Sequence, residues 1–141
     1  MSYRIREVDG LEEEDTLAEL HGLTFLDEAK LPSFEDGHWW LGYRDRKPVA
    51  FAGLVPSMFP KAGYFIRVGV VPEHGGHGLQ LRFMRVLERR AKSNGWAMIV
   101  SDTTDNVRSA NNFIRAGYRL FEPEVKWAFP HSLYWRKHLY L

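Results

Sequence analysis

The feature that most constrains the fold is a glycine-rich segment between a strand-like run and an amphipathic helix. Residues 64–71 are rich in β-branched and aromatic residues and stop at Pro72, which predicts a strand that ends there. Residues 79–92 have the apolar spacing of one helical face. Three of the five residues at 74–78 are glycine. Because the first N–H groups of a helix have no partners inside it, and glycine lets an anion approach them, the segment predicts a phosphate or pyrophosphate site.

Two better-known phosphate-binding motifs do not match this segment. No Lys-Ser/Thr pair follows the glycines, as a Walker loop requires. The preceding strand comes after a predicted hairpin, whereas the dinucleotide fingerprint follows the first strand of a βαβ unit. A glycine turn with a purely structural role is the remaining alternative.

The rest of the chain alternates strand and helix patterns without a repeat or a linker, which predicts one mixed α/β domain over residues 1–141. Asp9, with Glu12 three residues later, predicts the start of the first helix. Residues 24–38 are consistent with a short second helix and a loop. Asp105 or Asn106 caps a further helix, for which Val107, Ala110 and Ile114 are the predicted inward face. Strands are predicted over 3–8, 39–43, 48–55, 64–71, 96–100 and 118–121, with a last strand or hairpin between 126 and 135.

Composition excludes several classes of function. The net charge is +1, which argues against a nucleic-acid-binding surface. The chain has no cysteine, so disulfides, thiolate catalysis and cysteine-ligated metals are excluded. His74 and His77 lack a third ligand, so no metal is expected. The sequence has neither a signal-like N-terminus nor an apolar run of roughly 20 residues, so we expect a cytoplasmic protein that does not bind membranes.

A second motif follows the glycine segment after one helix and one strand. Residues 106–118 read Asn-Val-Arg-Ser-Ala-Asn-Asn-Phe-Ile-Arg-Ala-Gly-Tyr, and residues 70–78 read Val-Val-Pro-Glu-His-Gly-Gly-His-Gly. Together these resemble the GNAT family of acetyl-CoA-dependent N-acetyltransferases. The earlier segment resembles the V-x-P-E-x-x-G-x-G pyrophosphate turn of that family. The later one resembles its N-x-x-S/A-x-x-x-Y-x-x-x-G-F/Y helix, which lies beside the pantetheine arm of coenzyme A.

The resemblance implies a fold and a set of cofactor contacts. The fold is a mixed α/β sheet of about seven mostly antiparallel strands, splayed between strands four and five, with helices on both faces. Backbone groups of Val68 and Val70 would pair with the pantetheine arm, the side-chain amide of Asn106 would bind that arm, and Phe113 would lie near the thioester sulfur. The residues whose amides would bind the pyrophosphate are Gly75, Gly76, His77, Gly78, Leu79 and Gln80.

The chain departs from the family pattern at three places. Gly75 stands where Gln or Arg is frequent, and Gln80 stands where Gly or Ala is frequent. Phe113 replaces the tyrosine that often protonates the leaving thiolate, and a phenyl ring has no proton to donate. Water or Ser109 is the predicted substitute. Tyr118 is interpreted as a core residue.

The third departure concerns the general base. Ile66 and Arg67 occupy the region of the fourth strand where family members often carry a carboxylate. Arg67 would instead favour an acceptor that bears a carboxylate or a phosphate. The base would come from water or from the first crossover, where His38 has the most suitable intrinsic pKa. The candidates there are Asp27, Glu28, Glu35, Asp36 and His38.

These features predict transfer of the acetyl group of acetyl-CoA to an amine of a small molecule or peptide, by direct attack on the thioester. The alternative is a non-catalytic acyl-CoA-binding domain that acts as a sensor or interaction module. Residues 133–139 resemble the last strand of the family fold and would also suit dimer contacts, so both a monomer and a homodimer are possible. The aromatic and methionine side chains expected to line the acceptor cleft or the core are Trp39, Trp40, Met58, Phe59, Trp127, Phe129 and Trp135.

Overall fold

Residues 2–25 and 29–139 are described by a computed structural model and form seven strands and three α-helices. The sheet order is β1-β2-β3-β4-β5-β7-β6, mostly antiparallel with one parallel pair, β4–β5. The predicted seven-stranded mixed sheet is confirmed. The elements are β1 Tyr3–Val8, α1 Glu14–Phe25, β2 His38–Arg44, β3 Lys47–Pro56, β4 Ala62–Val70, α2 Leu79–Ser93, β5 Met98–Thr103, α3 Val107–Arg115, β6 Arg119–Leu120 and β7 Leu133–His138.

The chain forms two compact units, of which the first comprises residues 1–55 and 66–83. In this unit β1, β2 and β3 pair antiparallel, and Trp39 of β2 lies opposite Gly53 of β3. Trp39 is fully buried, and a Cβ on Gly53 would overlap its indole ring. Glycine is therefore required at position 53 for the tryptophan to pack. Leu17 of α1 and Phe51 of β3 are also fully buried in this unit.

The second unit comprises residues 56–65 and 84–141. Its central strand is β5, where Ile99 and Val100 are buried, and β7 pairs antiparallel with it over six residues. An aromatic cluster packs beside these strands. The Phe113 ring stacks on Trp135 with ring centroids 5.7 Å apart and meets Tyr118 edge-on at 4.9 Å.

The parallel pairing of β4 with β5 is short. The register joins Ala62 to Met98 and Tyr64 to Val100, with one pair between them. Immediately beyond this ladder, the hydroxyl of Ser101 donates a hydrogen bond to the carbonyl of Phe65 at 2.8 Å. The pairing between β4 and β5 is therefore limited to the amino-terminal ends of the two strands.

The first helix begins later than the sequence predicts. Asp9 Oδ1 accepts hydrogen bonds from the N–H groups of Leu11 and Glu12, at 3.0 and 3.1 Å, and the Asp9 carbonyl accepts one from Glu13. Asp9 therefore caps a turn, and the regular helix starts at Glu14. The described residues 29–37 contain no helix, so the predicted second helix is absent from that part of the segment.

The predicted inward face of α3 is wrong. Val107 is 76% exposed and Ile114 is 59% exposed, whereas the buried residues of the helix are Ser109 and Phe113. This nine-residue helix has two possible apolar stripes. The one carrying the larger ring packs inward because Phe113 joins the aromatic cluster of the second unit.

Candidate functional site

The glycine-rich segment starts with a tight turn that ends β4. The N–H of Val71 donates to the carbonyl of Val49 in β3 at 3.0 Å. Pro72–His74 then form one 3₁₀ turn, in which the Gly75 N–H donates to the Pro72 carbonyl at 3.2 Å. The amide of Gly75, one of the six that the resemblance assigns to the pyrophosphate, is thus engaged inside the turn.

The next residues present backbone N–H groups at the start of α2. Gly76 and Gly78 have φ of +79° and +74°, in the left-handed region that favours glycine. The Gly78 carbonyl accepts the helical hydrogen bond of Arg82, so α2 begins directly after it. Among the described residues, none accepts a hydrogen bond from the N–H groups of Gly76, His77, Gly78 or Leu79.

The electrostatics of this segment favour an anion. Residues 76–78 are exposed, and the first turn of α2 carries no acidic residue. Unpaired N–H groups and the helix dipole both place partial positive charge at this end of the fifteen-residue helix. The residues present are therefore suited to a pyrophosphate group.

Tyr3 of β1 supports the segment from within the same unit. Its hydroxyl lies 2.9 Å from His74 Nδ1, and its ring centroid lies 5.2 Å from that of His77. Its carbonyl accepts a hydrogen bond from Arg82 Nη1 at 3.0 Å. One buried tyrosine thus contacts residues on both sides of the glycines and fixes the turn against the sheet.

Asn106 caps α3 in the second unit. Its side-chain Oδ1 accepts the N–H of Ser109 at 3.0 Å, and its carbonyl accepts the N–H of Ala110 at 3.0 Å. Of the two predicted caps, Asn106 is the one used. Because capping occupies the side-chain oxygen, the exposed NH₂ group is the part of Asn106 suited to donate to a ligand.

Neither Phe113 nor Tyr118 is suited to donate a proton to a leaving thiolate. Phe113 is only 2% exposed and is enclosed by the rings of Phe65, Tyr118 and Trp135. Burial, and secondarily the charge of Glu88, raise the pKa of Tyr118 far above its ordinary value, which makes its hydroxyl a weaker acid. The interpretation of Tyr118 as a core residue is supported by its 5% exposure.

The residues expected to move protons differ in their surroundings. His38, at the start of β2, has its Nδ1 3.4 Å from Glu7 Oε2 and a side chain that is 27% exposed. Ser109 is buried on the inner face of α3. Glu35 and Asp36 are exposed. The remaining two candidates, Asp27 and Glu28, lie outside the described residues.

Arg67 is bonded largely within the protein. Its Nε donates to His21 Nε2 at 3.3 Å, and its Nη1 and Nη2 donate to the carbonyls of Ile66 and Lys30 at 2.8 and 3.0 Å. The guanidinium also lies 5.6 Å from the Phe25 ring centroid. Three of its five N–H groups are therefore used within the protein, and two of them join β4 to α1 and to the segment after it.

One polar cluster lies where the sequence motifs predict no functional residue. Asp102, near the end of β5, accepts a hydrogen bond from the Tyr64 hydroxyl at 2.5 Å and another from Trp127 Nε1 at 2.8 Å. All three side chains are half-buried. The signal in the sequence was an acid directly after the buried run at 99–101.

The aromatic and methionine side chains expected in the cleft or the core fall into buried, half-buried and exposed groups. Trp39, Trp40 and Trp135 are at most 3% exposed and belong to the core. Phe59 and Trp127 are half-buried, with ring centroids 6.0 Å apart. The two remaining residues are exposed, Met58 at 63% and Phe129 at 59%.

Metal and membrane features are absent from the described part of the chain. No group of three or more histidine or acidic side chains within residues 2–25 and 29–139 is arranged to hold a metal ion. None of the helices in these residues has the length and apolar character needed to cross a bilayer.

Comparison with known proteins identifies the fold and the family. The model of the "Acetyltransferase (GNAT) family" matches residues 5–118. An IAA acetyltransferase from Bacillus cereus ATCC 14579 superposes with a TM-score of 0.79 at 15% identity, over 98% of this chain and 100% of that one. No curated protein sequence matches.

Two further solved structures contain coenzyme A. PaiA N-acetyltransferase from Thermoplasma acidophilum has a TM-score of 0.74 at 14% identity, over 98% of this chain and 99% of that one. An acetyltransferase from Bacillus subtilis has a TM-score of 0.75 at 15% identity, over 99% and 100%. Acetyl-CoA is the cosubstrate of this family. The match covers most of the sequence, and the chain belongs to the GNAT family of acetyltransferases.

Proposed function

We propose that the chain transfers the acetyl group of acetyl-CoA to an amine of a small molecule or peptide, by direct attack of the amine on the thioester. The observation that carries this proposal is the row of N–H groups without acceptors among the described residues at 76–79, of which residues 76–78 are exposed, at the start of α2. Their sequence resembles the pyrophosphate turn of the family, which supports the proposal, and the first turn of α2 has no acidic side chain that would repel an anion.

Several residues would hold the cofactor. The N–H groups of Gly76, His77, Gly78 and Leu79 would bind the pyrophosphate, because together they form an anion site at a helix start. Backbone groups of Val68 and Val70, together with the Asn106 side-chain NH₂, would bind the pantetheine arm. When bound, acetyl-CoA supplies the acetyl thioester.

Proton movements would be served by weak acids and bases. An amine must be neutral to attack, so its proton passes to His38, Glu28 or water. Glu7 beside Nδ1 favours the His38 tautomer with its proton on Nδ1, in which Nε2 carries the lone pair. A thiol with a pKa near that of free cysteine leaves readily as a thiolate, so Ser109 or water suffices to protonate it.

A second function is favoured by one observation. Phe113 is buried and has no hydroxyl, and Arg67 stands near where a carboxylate is frequent in the family. A chain without either group would suit a domain that binds acyl-CoA without transferring the acyl group. This alternative keeps the cofactor site and abandons catalysis.

A binding measurement tests the cofactor site that both functions share, and a turnover measurement separates the two functions. Coenzyme A raises the melting temperature under both of them, because a ligand that binds only the folded state stabilises it. Release of free thiol from acetyl-CoA is then followed with polyamines, amino acids, aminoglycosides and peptide N-termini as acceptors. Turnover above the buffer rate supports the transferase. Tight cofactor binding without turnover on any acceptor contradicts it and favours the binding domain.

A further inference from the structure

Asp102 has an unusual environment for a half-buried carboxylate. Two side chains donate hydrogen bonds to this carboxylate, the Tyr64 hydroxyl and Trp127 Nε1, and both donate to Oδ2. Within the described residues, no group donates to Oδ1, and no lysine, arginine or histidine forms an ion pair with this side chain. One carboxylate oxygen therefore retains its capacity to accept hydrogen bonds.

In the part of the chain that the structure describes, no cation balances the charge of Asp102. Partly buried carboxylates are generally paired with a cation, because removing a charge from water is costly unless a partner compensates. By contrast, the exposed Asp105, three residues later, lies 3.3 Å from His131 Nε2. The unpaired acid is thus the more buried of the two.

The rings beside Asp102 also favour a cation. Trp127 is met nearly edge-on by three rings, those of Tyr134, Tyr64 and Phe59, with centroids 4.7, 6.2 and 6.0 Å away. Aromatic faces attract ammonium groups, and tryptophan does so best. Phe121 is not counted here, since the Arg136 guanidinium already lies 4.6 Å from its ring centroid.

We propose that Asp102 Oδ1, beside the Tyr64 and Trp127 rings, binds a positively charged nitrogen of the acetyl acceptor. An ion-paired ammonium has no lone pair for attack, so this nitrogen is a second one, distinct from the nitrogen that is acetylated. The acceptor class is therefore a molecule with at least two basic nitrogens. This inference rests on the proposed transferase function and narrows its substrate.

The existing contacts of Arg67 agree with this assignment. A carboxylate or phosphate on the acceptor would need an available cation, and three of the five N–H groups of Arg67 are bonded to His21, Ile66 and Lys30. Asp102, in contrast, offers an unpaired oxygen to a cation. We therefore expect a cationic acceptor in preference to the anionic one suggested by the sequence of β4.

Kinetics with matched acceptors test the inference. The probes are 1,4-diaminobutane, butylamine and 4-aminobutanoate, which differ only at the end remote from the reacting amine. We expect the diamine to have the highest kcat/KM. Asp102→Asn should raise the KM for the diamine about tenfold or more, and should raise the KM for butylamine by a much smaller factor. Asparagine keeps an oxygen for Tyr64 and Trp127, and the matched control is Asp105→Asn. An unchanged KM for the diamine in Asp102→Asn would overturn the inference while leaving the transferase intact.

A binding measurement tests the cation site even if none of these amines is acetylated. The Trp127 indole N–H signal, identified by its loss in Trp127→Phe, is followed by NMR during titration with tetramethylammonium chloride, with sodium chloride at equal ionic strength as the control. We expect a saturable shift in the wild type and none in Asp102→Asn. No shift, or an equal shift in both proteins, would overturn the cation site. Failure of coenzyme A to raise the melting temperature would instead count against the proposed function.

Discussion

The Oδ1 of Asn106 accepts the backbone N–H of Ser109 at 3.0 Å, so the two ends of one side chain have separable roles. The oxygen caps α3, and the NH₂ group is the part that would bind coenzyme A. A substitution that keeps the cap and removes the amide can test the second role without disturbing the first.

Substitutions at Asn106 are expected to separate stability from cofactor affinity. Asn106→Ser retains a capping hydroxyl, so its free energy of unfolding should be nearly unchanged, whereas Asn106→Ala should lose about 1 kcal/mol. Both should weaken coenzyme A binding about three- to tenfold, as expected for one hydrogen bond. Urea unfolding and calorimetric titration measure the two quantities. Wild-type affinity for coenzyme A in Asn106→Ser would show that the Asn106 amide does not bind the cofactor.

Restoring the tyrosine of the family motif at position 113 should not raise kcat. Because Phe113 is enclosed by three rings, Phe113→Tyr would bury a hydroxyl and should lower the free energy of unfolding by about 1–3 kcal/mol. Thermal unfolding and kcat are the measurements, and Phe129→Tyr at an exposed position is the control. A higher kcat with undiminished stability would show that position 113 reaches the leaving thiolate.

Arg67 is expected to act mainly in positioning β4. Arg67→Ala removes three hydrogen bonds, one of them to the buried His21, so the free energy of unfolding should fall by about 1–3 kcal/mol. The exposed Arg4→Ala should change stability by less than about 0.5 kcal/mol. If Arg67→Ala instead keeps its stability and loses activity on carboxylated acceptors alone, Arg67 binds the acceptor.

We expect the protein to lose stability at alkaline pH because the Tyr118 hydroxyl is buried. Its folded pKa is raised by burial, so above the tyrosine pKa of about 10 the unfolded chain binds fewer protons than the folded one. The contribution of this group is complete below that pH, and the free energy of unfolding should fall above it by up to about 1.4 kcal/mol per pH unit. Urea unfolding at several pH values measures this slope. Tyr118→Phe should flatten it, and an identical slope in the variant would contradict the assignment.

Features encoded within a short stretch of chain could be predicted from the sequence. The turn at 72–78 depends on a proline, on glycines at positive φ and on a helix that starts at once, all within a few residues. The cap at Asn106 depends on a residue three positions later. The turn and the cap were therefore predictable from the sequence, and the binding of coenzyme A by their amide groups stays a prediction.

Features that depend on distant residues could not be predicted. Asp102 accepts hydrogen bonds from Tyr64 and Trp127, which lie 38 and 25 positions away in sequence. No local sequence pattern predicts contacts between residues so far apart. Arg67 was interpreted as available for an acceptor because its partner His21 is 46 positions away. The prediction of the inward face of α3 was wrong for a related reason. Tertiary packing alone decides which of the two apolar stripes of the helix is buried.

Coenzyme A affinity in a matched pair of glycine variants tests the central claim most directly. Gly78 and Gly95 have φ of +74° and +77°, and a Cβ at either would meet nothing within 4 Å. Gly78 directly precedes α2, whereas Gly95 follows its end, so Gly78→Glu and Gly95→Glu introduce the same strain and charge at opposite ends of one helix. We predict that calorimetric titration finds coenzyme A binding abolished in Gly78→Glu and unchanged in Gly95→Glu, with both variants folded. Wild-type affinity in Gly78→Glu would contradict the assignment of residues 76–79 as the pyrophosphate site.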